Sequence, residues 1–200
     1  MATEVFLLNF GGPECAEDVE PFLARLFADP FIIRTPMPGA VRRWLARRLA
    51  VRRAPKASAE YRAIGFSPLN RATAAQAQHL AGILARERPG TRVHIINRYT
   101  PPFAEDVLET LDLERARMFL IALYPHLCHS TTVSSLRDFD LAAVRRTGRL
   151  DLPSVRVFSW WHHPAYLEMT HAALASELSS ALAAAGPDER VSVGFSAHGL

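Results

Sequence analysis

The chain is poor in the residues that staple small secreted proteins. Its 200 residues include two cysteines, Cys15 and Cys128, far apart and too few for a disulfide framework. A reduced, intracellular setting is the simpler reading. Lysine is almost missing: among 23 basic side chains only Lys56 is a lysine. An excess of one charge is missing too. The 23 bases face 20 acids, for a net charge of +3, so the pI of about 9.2 is no argument for nucleic acid as a partner. No apolar run is long enough to span a bilayer. The opening M-A-T-E lacks the basic stretch and apolar core of a signal peptide. Neither G-x-G-x-x-G nor G-x-x-x-x-G-K-[ST] occurs, so both nucleotide fingerprints are absent.

What is present reads as a globular chain, 49% hydrophobic and 22% charged. Short apolar runs fall at 5–9, 92–97, 117–123, 155–159 and 191–195, and read as five strands. Helical spacing separates them. Residues 14–27 form one helix, 41–51 a basic one, and 54–65 a short one ending near Gly65. A clear helix covers 73–88, with Thr73 placed to cap it and Pro89-Gly90 to stop it. Residues 104–111, 133–146 and 166–185 complete the set. Strands alternating with helices predict an α/β fold, a parallel sheet flanked by helices. Two units are expected: residues 1–165 as a first lobe, and 166–200 as a connecting helix with the first strand of a second lobe.

Each expected strand hands over to polar or aromatic residues at its carboxyl end: Asn9-Phe10-Gly11, Arg98-Tyr99, His126 to Thr132, Trp161-His162 and Ser196 to His198. In open α/β sheets ligands sit outside those ends. His198, on a turn of small residues, is the best-placed imidazole. His79, His94 and His171 lie inside elements without polar company and read as surface or core residues. His126, His129, His162 and His163 are ambiguous, and the adjacent Cys128 and His129 do not have the usual zinc-ligand spacing. The basic helix carries Trp44, Leu45, Leu49 and Val51 among arginines. It reads either as an ordinary surface helix or, with the loop exposing Phe31, Ile32 and Ile33, as a lip that rests on a membrane or guides an anionic, greasy ligand.

Several of these motifs together resemble the ferrochelatase family. They are L-L-N-F-G-G-P at Leu7 to Pro13, A-P-K-x-x-x-x-Y-R-x-I-G at Ala54 to Gly65 with Ser67-Pro68-Leu69, and R-Y-x-x-P-F at Arg98 to Phe103. L-Y-P-x-x-x-x-S-T-T-x-S-S-L at Leu123 to Leu136, H-P-x-Y at His163 to Tyr166 and F-S-A-H-G-L at Phe195 to Leu200 follow. They run in family order along the whole chain.

The resemblance implies a Rossmann-like chelatase lobe and an enzyme that inserts Fe(II) into a dicarboxylate-bearing porphyrin, with protoporphyrin favoured. It implies His198 as pyrrole proton acceptor, iron ligand or both, and Phe10, Arg53, Tyr61, Ser67, Arg98 and Tyr99 as porphyrin contacts. A neutral imidazole suits both roles, aromatic walls suit a flat ring, and arginine suits its carboxylates. Its implied partners are porphyrin and ferrous iron. The chain is expected to be cytoplasmic, with peripheral contact to the inner membrane as one of the two readings of the stretch from Phe31 to Arg53. There are departures. Gly65-Phe66 stands where the family has a longer glycine run, Pro101 replaces a commoner His, and His129 stands where some relatives place an iron–sulfur cysteine. No iron–sulfur cluster is therefore expected. With the second lobe's acidic partner for His198 outside the sequence, the chain alone is expected to turn over little. The alternative is a non-catalytic module of the same fold that only holds porphyrin or haem.

Overall fold

A computed structural model describes residues 2–186 and 188–196. Four strands form one sheet: β1 (Ala2–Asn9), β2 (Thr91–Asn97), β3 (Ala116–Ala122) and β4 (Ser154–Val157). Their order is β2-β1-β3-β4 and every pairing is parallel, with Leu7 opposite Ile95 on one side and Ile121 on the other. The helices are α1 (Ala16–Ala28), α2 (Gly39–Ala63), α3 (Leu69–Glu87), α4 (Ala104–Glu109), α5 (Ser134–Thr147) and α6 (Pro164–Ala184), with a π turn (His129–Val133) leading into α5.

β1 is central, and its run Val5 to Leu8 is buried throughout, as a strand covered on both faces must be. Alternation divides the faces. Phe6, Leu8, Met118 and Leu120 point toward Leu108 of α4 and Leu136 and Phe139 of α5. Val5, Leu7, Ile95, Phe119 and Ile121 point toward Ala77, Leu80 and Leu84 of α3. Each large side chain so buried contributes roughly 1.5–3 kcal/mol relative to exposure. A third cluster, from α1, α2 and the ends of β1 and β2, caps the carboxyl edge of the sheet.

Four expectations need correction. The basic helix and the short helix are one: α2 runs 25 residues straight through Pro55. The proline forfeits one backbone hydrogen bond, but Ala46, Ala50 and Ala57 are buried within α2, and that small-residue face, packed against α1, holds the two halves in line. Thr73 does not cap α3, which starts at Leu69. Thr73 is fully buried, and its hydroxyl donates to Leu69 O at 2.8 Å. The loop after α1 is half-buried rather than exposed, because Ile32 packs into the third cluster. The expected fifth strand does not form. Described residues 191–196 are irregular and pair with neither sheet edge, and Phe195 is 88% exposed. A strand without a ladder partner has nowhere to satisfy its backbone groups except water. Likewise α6 buries no residue.

Candidate functional site at the carboxyl edge of the sheet

Two loops cross above β1 and β2. Backbone bonds lace them together: Arg98 N donates to Asn9 O at 2.8 Å and Tyr99 N to Phe10 O at 3.0 Å. Gly11 has φ +75°, and a Cβ there would sit 2.2 Å from the Thr100 hydroxyl, so only glycine lets the loops approach. Beneath them is a knot of uncharged polar groups. Asn9 Nδ2 donates to Thr73 Oγ1 at 2.7 Å, and Phe10 N donates to Asn9 Oδ1 at 2.8 Å. Asn70 accepts from Gly12 N at 3.2 Å and donates to Gly12 O at 3.0 Å. Asn97 donates to Pro101 O at 2.9 Å. This knot fixes the angle at which Phe10 leaves β1.

Phe10 then meets Tyr99 edge-on at 4.5 Å between ring centroids, and both meet Phe22 of α1 at 6.1 Å. Tyr61, from the last turn of α2, completes the group at 6.3 Å from Phe22. Three of the residues singled out from the sequence, Phe10, Tyr61 and Tyr99, therefore share one aromatic cluster. Edge-to-face contacts of this kind add about 0.5–1.5 kcal/mol each beyond burial. Burial pushes the Tyr61 phenol above its usual value, so it stays a neutral donor at ordinary pH.

Ser67 lies beside the cluster. Its amide donates to Pro13 O at 2.9 Å, and its hydroxyl accepts from Leu69 N at 3.3 Å. The turn before it passes through Gly65 (φ +75°) and Phe66 (φ +64°). Phe66 thus holds a left-handed conformation that glycine favours; its ring packs into the aromatic cluster. Arg53 is exposed on α2. Arg53, Ala57 and Tyr61 follow at four-residue steps along one helical stripe, so Arg53 stands about 12 Å along the axis from Tyr61.

Arg98 and Tyr99 are spent inward. Tyr99 is 1% exposed and donates to Asp29 Oδ2 at 2.6 Å. Arg98 pairs with Asp29 at 3.0 Å and with Asp138 at 3.5 Å, and its Nε donates to Ser134 Oγ at 2.9 Å. Ser134 also donates to Asp29, as does Phe31 N at 2.8 Å. Burial, reinforced by the Asp29 carboxylate, raises the Tyr99 phenol far above its usual range. Burial also raises the Asp138 carboxyl, against the pull of Arg98.

The outer strand ends form a second loop pair. Trp160 and Trp161 donate backbone N–H to Pro125 O at 3.0 Å, and Trp160 Nε1 donates to Ala122 O at 2.8 Å. His126 stacks on Trp161 at 6.1 Å. Cys128 faces the Ser130 hydroxyl at 3.1 Å. Among the described residues no group of three or more His, Cys, Asp or Glu is placed to hold a metal. His198 lies outside the described residues.

Some contributors escaped the sequence reading. Asp29 resembled a loop residue, and Asn70, Asn97 and Ser134 resembled ordinary polar positions; each acts through a partner more than 25 residues away, which no local pattern reports. His94 has polar company after all: its Nε2 lies 2.7 Å from Glu4 Oε2.

A four-stranded parallel sheet flanked by helices, with an aromatic cluster at its carboxyl edge, defines an α/β fold of the kind whose ligands sit outside the strand ends. The chain belongs to the ferrochelatase family, whose sequence profile matches residues 2–200. It is 40% identical to a ferrochelatase of a Synechocystis species over 202 aligned positions, covering 98% of this chain and 50% of that one. It is 38% identical to a Synechococcus ferrochelatase, covering 98% and 57%. With the chloroplastic ferrochelatase-2 of Arabidopsis thaliana identity is 36%, covering 98% and 38%. The chain spans about half the length of the curated relatives it matches.

Proposed function

We propose that this chain is the porphyrin-seating part of a ferrochelatase that inserts Fe(II) into a porphyrin, protoporphyrin by preference, to make haem. The observation that carries this reading is the convergence of Phe10, Tyr61 and Tyr99 in one aromatic cluster at the carboxyl edge of the sheet, in a member of this family. In this reading Phe10 and Tyr61 meet the face of the macrocycle, Tyr99 backs them, and Ser67 offers its hydroxyl at the rim. Arg53 receives a propionate from the exposed side of α2, where planar guanidinium matches carboxylate, and Arg98 anchors the floor from below. Metalation removes two N–H protons from the ring; His198 takes a pyrrole proton, binds the incoming iron, or does both.

The outward side of α2 carries Val41, Trp44, Leu49 and Val51, all more than 40% exposed, among arginines. No helix among the described residues is long and apolar enough to cross a membrane. The proposal therefore includes peripheral contact with an anionic lipid surface through the stretch from Phe31 to Arg53.

The test is iron insertion by the whole protein with and without His198→Ala. General acid–base help of this kind is worth roughly 10²–10⁴-fold, so turnover should fall by at least about 100-fold with KM little changed. Unimpaired turnover would remove His198 from the reaction, whereas porphyrin binding without turnover by the unsubstituted protein would favour the binding-only alternative.

A further inference from the structure

Asp29 is the most enclosed charge beside the aromatic shelf. Its side chain is 0% exposed, and it gathers four donors from three separate parts of the chain: Phe31 N from its own loop, Tyr99 OH and Arg98 from the end of β2, and Ser134 Oγ from the start of α5. Arg98 is the cation this network consumes. It is a long side chain at the very edge where a ligand would sit, it is only 16% exposed, and its guanidinium lies 5.0 Å from the centre of the Tyr99 ring. Tyr99 in turn touches Phe10. Without Asp29 a guanidinium would stand close to the shelf with only Asp138 to oppose it, at the longer distance of 3.5 Å.

We infer that Asp29 is a positioning residue that sets the orientation of a flat dicarboxylate ligand: it clamps Arg98 inward, so that the exposed α2 arginines, Arg53 first, are the cations left to receive the ligand's carboxylates. This rests on the porphyrin-seating function proposed above. The chemistry is simple. Ligand carboxylates compete for guanidinium, and a guanidinium already paired with a buried carboxylate is a poor competitor. The clamp therefore makes an otherwise two-sided charge pattern one-sided, and the ring has one preferred way round.

The test measures binding of mesoporphyrin and of its dimethyl ester to the whole protein by fluorescence quenching, in the same detergent. The proteins are the unsubstituted protein, Arg53→Ala, Asp29→Asn, and the double variant. In the unsubstituted background Arg53→Ala should weaken the diacid about five-fold, as for a partly exposed ion pair, and leave the diester unchanged. In the Asp29→Asn background the released Arg98 offers a second anchor, and the Arg53→Ala factor should shrink to less than about two-fold. Preference for diacid over diester should rise at the same time. A purely structural role for Asp29 would weaken both porphyrins alike and keep the Arg53 factor, and that result overturns the inference. Should Asp29→Asn not fold, Ser134→Ala loosens the same clamp with the carboxylate kept, and must move the Arg53 factor the same way. Failure of the unsubstituted protein to bind either porphyrin would overturn the porphyrin-seating reading and this inference with it. Binding with an unmoved Arg53 factor would overturn this inference alone.

Discussion

Gly12 and Ser67 approach each other closely, and the contact yields a sharp prediction. A Cβ built at Gly12 would fall 2.2 Å from Ser67 Oγ and 2.6 Å from Ser67 Cβ, distances at which one side must move. Neither side moves freely. Gly12 is clamped through both its N–H and its carbonyl by Asn70, and Ser67 is tied by its amide to Pro13 O. Gly12→Ala should therefore destabilise by about 1–3 kcal/mol, the usual range for forced overpacking. Ser67→Gly alone removes one long hydroxyl contact to Leu69 N and should cost about 1 kcal/mol or less. The two are not independent, since Ser67→Gly deletes both atoms that collide. The double variant should recover most of the Gly12→Ala loss, giving a coupling of about 1–2 kcal/mol in the rescuing direction. Urea unfolding of the four proteins, compared at equal m-value, reads this directly. Additive losses would show that the loop yields elsewhere and that the Gly12–Ser67 contact does not set the position of Ser67.

Other substitutions probe the rest of the framework. Thr73→Val keeps the shape but removes the acceptor of the buried Asn9 amide, so about 1–3 kcal/mol should be lost in urea unfolding; a smaller loss would mean Asn9 finds another partner. Phe139→Ala empties the centre of the α5-side core, where Phe139 meets Phe6 edge-on at 5.1 Å, and should cost about 3–5 kcal/mol by the same assay. At Phe66, Ala removes the ring while keeping the left-handed strain, so Phe66→Ala should be less stable than Phe66→Gly by about 1 kcal/mol, reversing the usual order for the pair. Glu4 makes stability pH-dependent. Burial raises its carboxyl, but the hydrogen bonds and charges of Arg92 and His94 outweigh that and leave it below its usual value. Its folded pKa is depressed, so its contribution is complete above the unfolded value of about 4.3 and is lost as pH falls through the lower folded value. Since Arg92 is more than half exposed, the contribution is about 1–2 kcal/mol. Glu4→Gln should be less stable at pH 7 and flatter in acid titration below about pH 4.3; an unchanged acid limb would remove Glu4 from the account.

The sheet was legible because each of its strands is a short, mainly apolar run closed by a turn, and the central strand β1 is buried along its length from Val5. The strand expected at 191–195 shares the pattern, which shows its limit: composition makes a segment fit for a ladder, but an edge must be there to pair with it. The break expected between two helices before Pro55 failed for a tertiary reason, since the alanine face of α2 outweighs the local cost of proline. At the site, Phe10, Tyr61 and Ser67 stood out because the motifs that carry them resemble those of the family. Asp29 and Asn70 did not, because their meaning lies in partners distant in sequence. Thr73 was noticed for the wrong reason: a hydroxyl near a helix start signals a cap, while here it is an acceptor inside the fold.

The central claim is that a flat tetrapyrrole rests on the shelf made by Phe10 and Tyr61, with its carboxylates toward α2. The most direct measurement is a crystal structure of the protein with mesoporphyrin bound. The account predicts the macrocycle in van der Waals contact with Phe10 and Tyr61 and a propionate at Arg53. A ring found instead in the apolar groove lined by Leu80, Leu84, Phe119 and Ile121 on the α3 side of the sheet would contradict it.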